Sequence, residues 1–211
     1  MVSIEVCIPS RDGRIDDDVL MRAHGACEYA ARRGVACELA RVKDAYTVAA
    51  CRNRGVAGFL TRSKTHLLFL DDDVLLPTAA LELLAKAAER INGVICGCVP
   101  SVRIDQDGEV IGYVQVKPIG QDWLRAWPSE EVKLEACGGG CMMIPRSVFA
   151  ALEFPWFRWP ETYKPGMGVR AVTDDADFCN RVISLGHTVT AIPTIHCGHK
   201  KTIDVAMLIA E

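Results

Sequence analysis

Short apolar runs alternate with longer stretches of helical periodicity over the first hundred residues of the chain. Four runs have the length and apolar content of buried strands: residues 2–8, 35–40, 66–70 and 93–99. Between them, apolar residues recur at helical spacing, and the predicted helices span residues 16–33, 44–60 and 78–91. Nearly continuous apolar strands that alternate with helices are typical of a mostly parallel sheet with flanking helices. The pattern therefore predicts an α/β fold.

The pattern changes after residue 100, where we expect a small antiparallel portion. Asp107-Gly108 is typical of a tight hairpin turn, and apolar residues surround it over residues 105–117. Residues 153–173 contain prolines, tryptophans and glycines without periodicity, which favours a long functional loop. The other predicted elements are two strands around a glycine triplet in residues 133–144, a helix over 145–152, a helix over 174–185 and a strand over 188–192.

Length and charge limit the classes of protein that fit this sequence. At 211 residues the chain is long enough for one well-packed domain. The chain contains 24 Lys and Arg and 27 Asp and Glu. This near-neutral charge balance argues against a general polyanion-binding module. We expect no membrane span, because no apolar run approaches the roughly 20 residues that a spanning helix needs. The first residues also lack the basic start of a signal peptide.

Ten cysteines are scattered along the chain, and several lie inside apolar runs. The absence of a Cys-x-x-Cys pair from the sequence argues against a zinc ribbon or a thioredoxin-type motif. Cys137 and Cys141 flank the glycine triplet and could form a disulfide, but a role as small buried side chains is favoured. We therefore expect reduced thiols and a cytoplasmic location.

Three consecutive carboxylates, Asp71, Asp72 and Asp73, directly follow the apolar run that ends at Leu70. Adjacent carboxylates raise each other's pKa unless a cation or hydrogen-bond donors compensate their charge. One Asp would suffice for an acidic turn that caps a helix, so three favour a divalent metal with a phosphorylated substrate. In parallel sheets ligands bind beyond the carboxyl ends of strands, and residues 10–13 after the first strand are expected at the same edge.

Five segments, in this order, resemble the glycosyltransferases of the GT-A fold, in particular glycosyltransferase family 2. The segments are VCIPSR at 6–11, ACRNRG at 50–55, FLDDDV at 69–74, GGCMMIPR at 139–146 and TDDADFCNR at 173–181, followed by Ile195-His196. The third contains the Asp-x-Asp signature, and the resemblance covers roughly residues 2–199. Two departures stand out: Asp174 lies where the family more often has Glu, and Cys197 follows His196.

The resemblance implies a single GT-A domain over residues 1–211, with a nucleotide-binding half at 1–100 and an acceptor-side half at 101–211. It also implies a UDP- or GDP-sugar donor, a hydroxyl acceptor and a divalent metal. Nucleotide-sugar contacts are expected from Pro9, Ser10, Arg11, Asp12, Arg52, Asn53, Asp71 and Asp72. Acceptor contacts are expected from Gly139, Gly140, Trp156 and Trp159, although the tryptophans could equally pin a long loop to the body of the protein.

The implied metal ligands are Asp73, Asp71 and His196, and a nitrogen ligand favours Mn²⁺ over Mg²⁺. On chemistry alone His199 is equally eligible. The implied catalytic residues are Asp175, as the general base of an inverting displacement, and Asp174 beside it. Some metal-dependent relatives retain configuration instead, and the sequence leaves that outcome open.

Two other functions compete with sugar transfer. A sugar-phosphate nucleotidyltransferase would share the sheet and the metal chemistry, but such enzymes usually carry a glycine-rich loop after the first strand, and residues 10–14 contain one glycine. A non-catalytic nucleotide-sugar binding protein is disfavoured because both the Asp triplet and Asp175 are present. The acceptor stays open, and modified DNA, one of the candidates, receives no support from the net charge of −3.

Overall fold

The computed structural model describes residues 1–43, 46–104, 109–164 and 168–201. Five helices occur in these ranges: α1 (Asp17–Ala31), α2 (Val48–Leu60), α3 (Ala80–Ala88), α4 (Arg146–Ala151) and α5 (Asp174–Ser184). The strands of the first hundred residues are β1 (Ser3–Pro9), β2 (Ala36–Val42), β3 (His66–Leu70), β4 (Val74–Leu75) and β5 (Gly93–Cys98). The later strands are β6 (Pro100–Ile104), β7 (Val110–Val114), β8 (Val116–Pro118), β9 (Val132–Cys137), β10 (Cys141–Pro145), β11 (Glu161–Lys164), β12 (Gly168–Ala171), β13 (Thr188–His196) and β14 (Gly198–His199).

Eight strands form the main sheet, in the order β2-β1-β3-β10-β5-β13-β9-β8. Strands β10 and β9 run antiparallel to both of their neighbours, whereas β1 pairs parallel with β2 and β3, and β13 pairs parallel with β5. The other six strands of this sheet therefore point in one direction. The predicted α/β fold with a mostly parallel sheet is confirmed.

Helices cover both faces of the sheet because successive strand residues alternate between the faces. On one face, Phe69 and other buried residues pack with Phe59 of α2 and Phe178 of α5. On the other face, Leu68 packs in a second buried cluster with residues of α1 and α3 such as Leu84. Neighbouring residues of β3 thus pack into the two buried clusters on opposite faces of the sheet. This packing on both faces holds the strand in place, so that its carboxyl end lies at the same edge as that of β1.

Helix α2 begins at a capped end and lies unusually close to the sheet. Thr47 is its N-cap, since its side-chain oxygen accepts a hydrogen bond from the backbone N–H of Ala50 at 3.1 Å. An added Cβ at Gly55 would lie 2.8 Å from Cys7 Sγ and 3.1 Å from Phe69, so only glycine permits this approach. The close packing holds residue 52 against the carboxyl ends of β1 and β3.

Four predicted elements differ from those in the structure. The hairpin is formed by β6 and β7, and its first strand lies before the predicted range of 105–117, while its predicted turn at Asp107-Gly108 lies outside the described residues. The strands around the glycine triplet do not pair with each other, because the fully apolar β10 inserts between β3 and β5. The predicted loop 153–173 contains a β11–β12 ribbon. The last strand continues to His196.

All ten cysteines are free thiols, so Cys137 and Cys141 form no disulfide. Cys137 instead lies against Cys179 of α5, with their sulfurs 3.9 Å apart. Burial raises the pKa of the Cys98 thiol to about 12, which keeps that thiol protonated. None of the described helices is both long and apolar enough to cross a membrane.

Candidate active site

A cleft of about 700 Å³ opens at the carboxyl ends of β1 and β3. Its volume falls within the range of about 300–1,000 Å³ that is usual for small-molecule sites. The residues that line it and that the sequence predicted are Pro9, Arg11, Asp12, Asp71, Asp72 and Asp73. Lining residues that the sequence did not single out for donor binding are Tyr46, Val48, Cys51, Gln115, His199 and Lys201. Parallel pairing of β1 with β3 brings the two predicted segments together at this edge.

The loop after β1 is shaped by its own hydrogen bonds. Ser10 is 2% exposed, and its hydroxyl donates to the carbonyl of Arg14 at 2.6 Å. The backbone N–H of Arg14 donates to Asp12 Oδ1 at 3.0 Å, and this bond lowers the pKa of Asp12. Ser10 therefore fixes the loop, while Arg11 and Asp12 face the cleft.

The three carboxylates of the triplet have different surroundings. Asp71 Oδ1 accepts a hydrogen bond from Arg52 Nη2 at 2.9 Å. Burial raises the pKa of Asp72, and the charges of its two neighbours add to that rise. Burial also opposes ionisation of Asp73, but its contacts with His199 and Lys201 outweigh that effect and lower the pKa of Asp73 to about 2. Asp73 is thus a charged carboxylate throughout the physiological pH range.

The structure places His199, and not His196, against the acidic triplet. The His196 ring is exposed and stacks on Trp127, with 4.3 Å between ring centroids. The His199 side chain is only 5% exposed, and its Nε2 lies 3.2 Å from Asp73 Oδ2. Pairing of β14 with β4 sets this position, because it brings His199 opposite Val74, the residue after the triplet. The preference for His196 over His199 has no support in these contacts.

The hydrogen bonds of His199 suit a metal ligand. Its Nδ1 lies 2.6 Å from the carbonyl oxygen of Pro100, which can only accept, so Nδ1 carries a proton. In the neutral ring, Nε2 then presents a lone pair towards the Asp73 carboxylate. Two acceptors that face each other in this way require a proton or a cation between them. A backbone partner on the second nitrogen is also the usual arrangement of metal-binding histidines.

Within the described residues, no three His, Cys, Asp or Glu side chains are already arranged as a complete metal site. Asp73 and His199 could hold a metal as two ligands, and Asp71 is committed through one oxygen to Arg52. The donor set fits a divalent cation that completes its coordination with substrate oxygens and water, as Mg²⁺ and Mn²⁺ do at phosphate sites.

Arg52 connects the triplet to the start of α5. It is 3% exposed, and it donates from Nη1 to Asp174 Oδ2 at 2.8 Å and from Nη2 to Asp71 Oδ1 at 2.9 Å. Its Nε–H has no acceptor among the described residues. Burial raises the pKa of Asp174 although the Arg52 charge opposes that rise. Both side chains are thus engaged inside the protein, and neither Arg52 nor Asp174 lines the cleft.

The glycine triplet allows the chain to pass close to these groups. An added Cβ at Gly139 would lie 2.9 Å from Arg52 Nη1 and still closer to the rest of the guanidinium. An added Cβ at Gly140 would lie 3.0 Å from Val74 and 3.3 Å from Asp71 Oδ2. The sequence predicted acceptor contacts here, and the structure shows that an added side chain would displace Arg52 at position 139 and press against Val74 at position 140.

Asp175 is partly exposed and is held by three hydrogen-bond donors. Its Oδ2 accepts from the backbone N–H of Gly139 at 3.1 Å. Its Oδ1 accepts from the backbone N–H of Ala176 at 2.8 Å and from the Thr173 hydroxyl. A carboxylate has about four lone-pair positions, so one position is left for a further hydrogen-bond donor. Gly139 and Arg52 connect this carboxylate to the acidic triplet.

Asn53 and Trp156 anchor the segment that follows α4. The Asn53 amide donates to the carbonyl of Phe157 at 2.7 Å and accepts from its backbone N–H at 3.0 Å. Trp156 Nε1 donates to the carbonyl of Phe149, and its ring packs against Phe149. Neither residue lines the cleft. Trp159 is 50% exposed, so its ring is accessible to a ligand.

Gln115 and Lys201 are cleft residues that no sequence pattern indicated. Gln115 follows β7, and its side chain lies over Gly138, where an added Cβ would come within 2.9 Å of its Cδ. Lys201 Nζ lies 2.7 Å from Asp73 Oδ2. Polar residues of loops reveal their partners only when long-range strand pairing is known, which explains why both were missed.

No family model matches the chain, and no curated protein matches it either. Several solved structures are similar to this chain. A197 from STIV superposes with a TM-score of 0.59 at 16% identity, over 96% of this chain and 87% of that one. GalNAc-T7, solved with UDP, GalNAc and Mn²⁺, has a TM-score of 0.58 at 12% identity, over 96% of this chain and 44% of that one.

A third match is a mutant of β-1,4-galactosyltransferase 7 from Drosophila, solved with manganese, UDP-Gal and xylobiose. Its TM-score is 0.52 at 16% identity, over 92% of this chain and 66% of that one. At such identities the likeness shows the fold. The chain has the GT-A fold, as its sequence predicted.

Proposed function

We propose that this GT-A chain is a metal-dependent glycosyltransferase that moves a sugar from a UDP- or GDP-sugar to a hydroxyl acceptor. The observation that carries the proposal is the cleft of about 700 Å³, which brings the loop after β1, the acidic triplet and His199 together. Two structures of the same fold were solved with UDP or UDP-Gal and manganese, which supports the donor class and the metal. We propose a single domain with a nucleotide-binding half in residues 1–100 and an acceptor-side half in residues 101–211, in which the second half also contributes His199 to the donor site.

The donor is bound by the loop after β1 and by the triplet. Arg11 and Asp12 face the cleft beside Pro9, where a cation and a carboxylate suit the phosphates and the hydroxyls of a nucleotide. Asp72 contributes a further acceptor. Arg52 and Asn53 act indirectly, because their polar groups already bind Asp71, Asp174 and the backbone of Phe157.

Asp73 and His199 hold the divalent cation in this proposal, with Asp71 beside them, and His199 replaces His196 in the predicted ligand set. When bound, the cation neutralises charge on the diphosphate as it leaves. An imidazole ligand favours Mn²⁺ over Mg²⁺. Arg52 keeps Asp71 in place, and the Pro100 carbonyl keeps the His199 ring oriented.

Asp175 is the proposed general base. It accepts the proton of the acceptor hydroxyl while that oxygen bonds to the sugar C1 and the C1–O bond to the diphosphate breaks. The bonds from Gly139, Thr173 and Ala176 orient its carboxylate. Attack opposite the leaving diphosphate inverts the configuration at C1. Asp174 positions α5 through Arg52 and is not a proton acceptor for the substrate.

A thermal-shift panel of nucleoside diphosphates, triphosphates and nucleotide-sugars tests this proposal, with Mn²⁺ and with EDTA. A ligand at 100 times its dissociation constant stabilises by about 2.7 kcal/mol, which raises the melting temperature by about 5–10 °C in a chain of this size. We expect a Mn²⁺-dependent shift with UDP or GDP and with their sugars. Asp73→Ala should lose it, whereas Glu130→Ala, an exposed carboxylate outside the cleft, should keep it.

A shift with nucleoside triphosphates alone would instead support the nucleotidyltransferase. No shift with any nucleotide would show that the acidic triplet is not a metal-nucleotide site. Equal shifts with Mn²⁺ and with EDTA would show that donor binding does not need the metal.

A further inference from the structure

The last described residues cross the rim of the cleft as an anchored, extended segment. Strand β14 pairs with β4, and the backbone N–H of Lys200 donates to the carbonyl of Asp73 at 2.8 Å. The Lys200 ammonium reaches the start of α1, where it pairs with Asp16 at 2.7 Å and Asp18 at 2.6 Å. Backbone and side chain together fix the path of the chain at this residue.

The next side chain, Lys201, therefore points into the cleft. Successive residues of an extended chain face opposite sides, so anchoring Lys200 against α1 turns Lys201 the other way. Its Nζ lies 2.7 Å from Asp73 Oδ2, and the side chain remains 42% exposed. Lys201 lines the same cleft as Arg11, and among the described residues that line it these two carry the lysine and arginine charges.

One carboxylate oxygen of Asp73 has two partners. His199 Nε2 lies 3.2 Å and Lys201 Nζ 2.7 Å from Oδ2. An oxygen of a carboxylate offers about two lone-pair positions. A divalent cation that binds Asp73 and His199 together thus meets the ammonium at the same oxygen, where the two positive charges repel.

We propose that Lys201 is a diphosphate-binding residue, held in the cleft by Asp73 until a divalent cation takes over that carboxylate. The inference rests on the proposed function, since it assigns a role within the same donor site. A lysine ammonium is a compact charge that binds phosphate oxygens, and its four-carbon stem is flexible. Because Lys200 is anchored, the freed ammonium stays beside the cation and pairs with the diphosphate, whose charge grows as it leaves.

The arrangement has a thermodynamic consequence. The cation alone must displace Lys201 from Asp73 without compensation, whereas a diphosphate gives the displaced ammonium a new partner. Metal and diphosphate therefore strengthen each other's binding, and the coupling is reciprocal. With a neutral side chain at position 201, no ammonium competes with the cation for Asp73. The diphosphate then also has no ammonium to pair with.

Calorimetric titrations of the wild type and of Lys201→Met test this directly. Met keeps most of the apolar stem and removes the charge. We expect Lys201→Met to bind Mn²⁺ alone about 5-fold or more tightly than the wild type. At saturating Mn²⁺, we expect it to bind UDP or GDP about 10-fold more weakly. Lys201→Arg, which keeps the charge, should retain most of the nucleotide affinity.

Lys86→Met is the matched control, since Lys86 lies exposed on α3, pairs with Glu82 and does not line the cleft. It should match the wild type in both titrations. Unchanged Mn²⁺ affinity in Lys201→Met, or undiminished nucleotide affinity, overturns the inference. If the wild type itself binds neither UDP nor GDP, the proposed function fails, and the titration with Mn²⁺ alone still decides whether Lys201 competes for Asp73.

Discussion

Three neighbouring carboxylates of identical chemistry have three different sets of contacts. Asp71 holds a buried arginine, Asp72 has its pKa raised by burial and by its neighbours, and Asp73 is stabilised as an anion by His199 and Lys201. The sequence predicted where the triplet lies, because an apolar strand ends there. It could not assign the partners, since Asp71 and Asp73 bind residues 19 and 126 positions away.

The role of Asp175 as the general base can be tested with a single substitution. Asp175→Asn keeps the size of the side chain and an acceptor for the Gly139 N–H, but it removes the proposed base. We expect the rate of nucleoside diphosphate release with an acceptor to fall by about 10²–10⁴. Binding of UDP or GDP with Mn²⁺ should not change in calorimetry. Asp122→Asn, on an exposed loop, is the control, and near wild-type turnover in Asp175→Asn would show that another group takes the proton.

At the scale of elements, Arg52 on α2 joins the end of β3 to the start of α5. The alternation of apolar runs predicted both helices and the strand, although α2 begins at Val48 rather than at residue 44. It did not predict the ion pairs between them, because Arg52 and Asp174 are 122 residues apart. The resemblance placed Arg52 at the donor, whereas its burial and its two carboxylate partners make it a residue that positions the site.

Removal of Arg52 should destabilise the fold as well as the site. Arg52→Met leaves the buried Asp174 without its partner, and loss of one member of a buried pair costs about 3–5 kcal/mol. Urea unfolding measures this loss. Combining Arg52→Met with Asp174→Asn should restore part of the stability, because the buried position 174 then carries no unpaired charge. Arg32→Met, which breaks the exposed pair with Glu28, should cost about 1 kcal/mol or less. An equally small effect of Arg52→Met would contradict a structural role for the pair.

The glycine triplet gives a second test at this scale. In Gly139→Ala the added methyl group meets the Arg52 guanidinium, and overpacking of this kind costs about 1–3 kcal/mol. We also expect the affinity for a nucleoside diphosphate to fall, since Arg52 positions Asp71. Gly112→Ala on β7 is the control, because nothing lies within 4 Å of its added Cβ. If the two variants unfold at the same urea concentration, the close approach at Gly139 is not a constraint.

At the scale of the whole molecule, one reversed strand organises the site. β10 enters the sheet between β3 and β5, which brings the glycines before it against the acidic triplet and Asp175. The sequence predicted the α/β class and the edge where ligands bind, because both follow from local patterns. Strand order is a non-local property of the fold. This is why the insertion of β10, the position of His199 and the inward turn of Lys201 needed the structure.

The proposed metal and donor site is tested most directly by a crystal structure with Mn²⁺ and the nucleoside diphosphate that gives the largest thermal shift. Anomalous scattering locates the metal. We expect Mn²⁺ bound to Asp73 and His199, the diphosphate between the metal and Lys201, and the Asp175 carboxylate facing the position of the sugar. Mn²⁺ at His196, or a nucleotide bound outside the cleft at the ends of β1 and β3, would contradict the proposed site.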